Sequence, residues 1–111
     1  MKDWSAMVVD RILGESNKRL GRCFELSGRY VSEHPNATLV HGNLTNPFAR
    51  GMKELDHAWV EEDDQIFDPV MDQWWPKGVY QSLFHTKEQQ RYSHVRVLSM
   101  TLKHQHWGPW L

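Results

Sequence analysis

Three side chains in this sequence have the types needed for acyl transfer through a thioester: the single cysteine, Cys23, and the pair His57 and Asp68. A thiol attacks as the thiolate, so it needs a neighbouring base. The base in turn needs a third group that fixes its ring and its tautomer. The spacing of the histidine and the aspartate meets that need. The segment from His57 to Asp68 reads as a β-hairpin. Folded at Glu62-Asp63, it sets Glu61 against Asp64, Val60 against Gln65, Trp59 against Ile66, Ala58 against Phe67 and His57 against Asp68. Directly opposed residues on one face have Cβ atoms roughly 4.5–5.5 Å apart, a separation that suits a hydrogen bond between imidazole and carboxylate.

The nucleophile needs its own support. From Cys23 to about Ser32, Phe24, Leu26, Tyr30 and Val31 fall on one side of a helix, and His34-Pro35 ends it because the residue before a proline avoids the α region. Cys23 then sits in the first turn. The unpaired N–H groups and the dipole of a helix N-terminus favour a thiolate there, and Lys18, Arg19 and Arg22 add positive charge nearby. Upstream, Trp4, Met7, Val8 and Ile12 predict a short amphipathic helix behind Asp3 that stops at Gly14, followed by a polar loop to Arg22.

Further along, Ala37 to His41 predicts a core strand closed by Gly42-Asn43, and Asn43 to Asp56 a long loop leading to the hairpin. Pro69 stops the second hairpin strand. Asp72 to Gly78 is a turn-rich aromatic stretch, and Val79 to His85 a short helical turn. Thr86-Lys87-Glu88-Gln89 fits a capping box opening a brief helix to about Tyr92, while His94 to Leu102 alternates as a strand does. The tail from Lys103 gives no regular pattern.

A chain of 111 residues holds one core, and this pattern predicts a single α+β domain in which N-terminal helices pack on a small antiparallel sheet. A net charge of −1 lacks the basic footprint of a nucleic-acid-binding protein. One cysteine makes no internal disulfide, which fits a reducing cytoplasm. No stretch approaches the ~18 apolar residues of a membrane span, and no signal peptide is apparent, so a soluble protein is expected.

With the cysteine opening a helix and the other two residues on adjacent strands, the order Cys, His, Asp resembles the papain-like and transglutaminase-like cysteine enzyme superfamily. The resemblance lies in Gly21-Arg22-Cys23-Phe24, in His57-Ala58-Trp59-Val60-Glu61 and in Phe67-Asp68-Pro69. It implies the superfamily's core fold and a thiol-dependent hydrolase or acyltransferase acting on an amide or ester of a peptide, a protein or a small molecule. Cys23 would be the nucleophile, His57 the general base and Asp68 its orienting group. An upstream side-chain amide, here Asn17, would complete an oxyanion hole, and no cofactor is implied.

Other residues carry competing readings. Trp59, Trp74 and Trp75 are candidate substrate-binding walls, although tryptophans are more often core. His41 is an alternative base, more often a structural residue at the end of an apolar strand. His104 and His106 form an H-x-H pair that a strand would turn to one side, but no third metal ligand is spaced to join them. The acidic run Glu61 to Asp64 reads as a solvated turn. The rival from a different class is a catalytically inactive binding or inhibitor protein, such as a phage or bacterial accessory factor, that keeps this fold and grips its partner through a Trp-rich surface.

Overall fold

The computed structural model describes residues 22–45 and 54–110. Among them, helix α1 (Cys23–Glu33) is followed by β1 (Thr38–Thr45), β2 (Glu54–Glu62), β3 (Gln65–Asp68) and β4 (Gln73–Pro76), then α2 (Lys77–Phe84), β5 (Lys87–Tyr92) and α3 (His94–His104). The five strands form one antiparallel sheet in the order β4-β3-β2-β1-β5. The fold is α+β. The expected helix from Trp4 to Leu13 and most of the loop after it lie outside the described residues.

Side-chain alternation along the sheet divides the core in two. Leu39, Ala58 and Val60 project towards α1 and α3, where they meet Val31, Tyr92, Val97 and Trp110. Val40, Leu44, Trp59 and Ile66 project the other way, onto Trp75 and the α2 residues Tyr80 and Phe84. Within α1, the buried Ser27 donates from Oγ to the Ala58 carbonyl at 3.2 Å, which pins the helix to β2 one turn beyond Cys23.

Several elements differ from the sequence-based expectation. β1 does not stop at Gly42-Asn43 but runs on to Thr45, and β2 already begins at Glu54, so both ends of the loop expected from Asn43 to Asp56 are strand; residues 46–53 lie outside the described residues. Glycine lets the strand continue. A Cβ on Gly42 would lie 2.2 Å from the Lys87 carbonyl and 2.9 Å from the Trp59 ring, and the β1–β5 register shifts at this residue. The aromatic stretch after Asp72 is a true strand, because Trp74 and Trp75 pair with Phe67 and Ile66.

The last two elements exchange types. Lys87 to Tyr92 fits a capped helix locally, yet forms β5 because β1 offers it a free edge. Its five exposed residues suit an edge strand, where charged side chains discourage pairing with another chain. His94 to His104 is helical because Ser93 caps it, its Oγ accepting from the Arg96 N–H at 3.2 Å, and because Val97 packs against α1. Val95, Leu98 and Leu102, at the helical spacings of three and four, are exposed along one side of α3.

Candidate active site

The hairpin forms with a different turn. Glu62 pairs with Gln65, Glu61 with Ile66 and Val60 with Phe67, leaving Asp63 and Asp64 as a two-residue loop with φ of 51° and 63°. Positive φ at both central residues is what a type I′ hairpin turn demands. Continuing this register puts Asp68 opposite Trp59, and His57 two residues further along. The expected direct pairing of His57 with Asp68 is therefore corrected to a diagonal one. A shift of two residues preserves the face, whereas a slip of one would have turned Asp68 away. Diagonal neighbours remain within reach of long side chains, and the hydrogen bond forms: His57 Nε2 lies 2.8 Å from Asp68 Oδ2.

Asp68 is fully buried and heavily solvated by protein. Its Oδ2 also accepts from the Tyr80 hydroxyl at 2.7 Å, and its Oδ1 accepts from the N–H groups of Val70 at 3.0 Å and Met71 at 3.4 Å. Burial alone would raise the carboxyl's pKa, but the charge of His57 and these hydrogen bonds reverse that and hold it below the ordinary carboxylate value. Tyr80 is pushed well above the usual tyrosine value, first by burial and then by the adjacent Asp68 charge, so it remains a donor.

His57 is 13% exposed. Burial would lower its pKa, but the Asp68 carboxylate and its hydrogen bond, helped by the Cys23 side chain, push it up to about 10. The Cys23 side chain lies close enough to the same ring to push its pKa the same way. Because Nε2 serves Asp68, Nδ1 is the nitrogen left for the thiol. β3 has ended at Asp68, so among the described residues this flank of β2 has no strand beside it and the first turn of α1 can approach. The fold thus gathers Cys23, His57 and Asp68 into one chain of contacts.

Comparison with family models, with curated proteins and with solved structures returns no match to this chain. The site therefore rests on its own geometry.

The remaining candidates fall as follows. Asn17, Lys18 and Arg19 lie outside the described residues, and Arg22 forms an ion pair with Glu25 at 3.0 Å. Trp59 and Trp75 are core residues, 2% and 4% exposed, while Trp74 is partly exposed against Tyr30 and Phe67. Trp110 is buried as well, so among the described residues the tryptophans form no broad surface. Glu61 is not a solvated turn residue; it is buried and paired with Arg91 and with Lys77 at 3.0 Å. His104 ends α3 and His106 lies in the bend beyond it, so the H-x-H pair is not on a strand. No group of three or more possible metal ligands gathers among the described residues. Sequence reasoning missed Tyr80. It lies in a different element, and its only local signal is a position on the apolar side of α2.

Proposed function

We propose that the protein is a thiol-dependent hydrolase or acyltransferase with Cys23 as nucleophile. The observation that carries this reading is the His57–Asp68 hydrogen bond beside Cys23, anchored on a buried carboxylate that Tyr80 and two backbone N–H groups hold in place. An opening helix that delivers the thiol to a histidine and an aspartate on an antiparallel sheet also supports the papain-like and transglutaminase-like resemblance.

The electrostatics refine the roles. A histidine with a pKa near 10 is an imidazolium at neutral pH, so it enters the reaction carrying a proton, with the sulfur attacking as thiolate beside it. As the Cys23 Sγ–carbon bond forms and the bond to the leaving nitrogen or oxygen breaks, His57 passes its proton to the leaving group. The neutral ring then acts as general base. It takes a proton from water or an amine that attacks the thioester, and the carbon–sulfur bond breaks to restore the thiolate. Asp68 keeps the ring oriented throughout. The N–H of Cys23, one of the four that the start of a helix leaves without an intrahelical partner, would receive the oxyanion.

Alkylation of Cys23 by iodoacetamide at pH 6 tests this without a substrate. The native thiol is expected to react at least about tenfold faster than in His57→Ala. Equal rates in the two proteins would defeat the proposal. A non-catalytic binding protein is the second reading, favoured by the exposed apolar stripe of Val95, Leu98 and Leu102 on α3. Cys23→Ala separates the two, since a binder keeps its function without the thiol.

A further inference from the structure

Among the buried titratable groups that the mechanism leaves unused, one has a ring nitrogen without a partner among the described residues. His41, on β1, is 5% exposed, and its ring is enclosed by Phe24, Tyr92 and Trp110 at centroid distances of 4.7, 4.9 and 5.4 Å. Among the described residues its Nε2 has no hydrogen-bond partner. Burial holds its pKa down at about 4, so the ring is neutral at physiological pH. Leaving a buried polar atom unsatisfied is costly, and such atoms in native proteins call for an occupant.

The structure has room for one. A cavity of about 90 Å³ opens beside the ring, lined by Phe24, His41, Tyr92, Asp56, Gln90 and Pro109 among others. One water requires only ~10–15 Å³ of such space, so a group of several heavy atoms fits. Gln90 is the ladder partner of His41, which sets both side chains on one face. Gly108 leaves the nitrogen uncapped: a Cβ there would lie 2.9 Å from His41 Cε1 and 3.4 Å from Nε2.

Three residues that line the cavity neighbour the candidate triad along the chain or the ladder. Phe24 follows Cys23, Asp56 precedes His57, and the lining residue Gly42 pairs with His57 in the ladder. We propose that this cavity receives the substrate group next to the carbonyl attacked by Cys23, and that it selects a short uncharged group bearing both a hydrogen-bond donor and an acceptor, such as a primary carboxamide. This rests on the cysteine-enzyme reading. Either tautomer of His41 is satisfied by an amide, which offers N–H and C=O together. A carboxylate would meet a neutral ring at the floor and the Asp56 charge at the rim, and is disfavoured on both counts.

The test uses propionamide, with propionate as the charged control, on isotopically labelled native protein. Propionamide is expected to shift the His41 ring resonances saturably and to slow Cys23 alkylation, and propionate to do neither. His41→Phe should abolish the protection. Because that substitution is buried, the exposed rim variant Gln90→Ala gives a second reading, with propionamide affinity expected to fall about tenfold. A His41 resonance that never responds would overturn the proposal and leave the cavity as a water site. A saturable shift with no protection of Cys23 would overturn it too, by separating the pocket from the thiol. Failure of the underlying reading looks different, because His57→Ala would then leave alkylation unchanged with no probe present, whatever propionamide does at His41.

Discussion

Asp68 is the residue on which the candidate site depends, because a buried carboxylate is tolerated only where its charge and lone pairs are answered. His57, Tyr80 and two backbone N–H groups answer them. Asp68→Asn keeps the shape but removes the counter-charge that holds His57 protonated. At pH 6 it is expected to slow Cys23 alkylation and to lower stability by about 3–5 kcal/mol, measured by urea unfolding. Tyr80→Phe is milder: it removes one donor and leaves the pair, costing about 1–3 kcal/mol. The two substitutions are expected to be non-additive, because both act through the same carboxylate. Additive losses would mean that Tyr80 stabilises only the packing of α2.

Among the elements, the β2–β3 hairpin sets the geometry, and its turn sets the register. Asp63 and Asp64 both occupy the left-handed region, which aspartate tolerates and a β-branched residue does not. Asp64→Val should therefore destabilise by about 1–2 kcal/mol and slow Cys23 alkylation as the His57–Asp68 diagonal loosens, whereas Asp64→Gly should leave both close to native. α3 offers an independent check on the helix that replaced an expected strand. Ser93→Ala removes its N-cap and should cost about 1 kcal/mol without changing the thiol's reactivity. A larger loss, or an effect on Cys23, would argue against an isolated capping role.

At the scale of the whole molecule, two histidines shifted in opposite directions shape the pH dependence of stability. His57 has a folded-state pKa raised to about 10, above the ordinary 6.5, so its contribution is complete below about pH 6.5 and is lost as pH rises towards 10. His41 is lowered to about 4, so the unfolded chain binds its proton first and stability falls as pH drops from about 6.5 towards 4. Asp68, lowered in the fold, adds a loss at still more acid pH. Urea midpoints are therefore expected to peak near pH 6–7, with His57→Ala flattening the alkaline side and His41→Phe the acid side. A midpoint still rising above pH 8 in the native protein would contradict the His57 assignment.

The sequence by itself determined what depends on local patterns. The helix opening at Cys23 follows from an apolar stripe ending at His34-Pro35, and the hairpin from alternation around an acidic tip. The shared face of His57 and Asp68 follows from odd-and-even parity, which survived the error in turn position because that error moved the pairing by two residues. Tertiary structure decided the rest. Whether Lys87 to Tyr92 became strand or helix depended on the free edge of β1, and whether His94 to His104 became helix depended on α1, which accepts Val97. Neither neighbour is encoded within the segment it decides. The same holds for Tyr80, which reaches Asp68 from α2, and for the burial of Trp59, Trp75 and Glu61. A side chain's type states what it can bond, but only the packed sheet and helices bring its partner within 3 Å and remove the water that would otherwise compete.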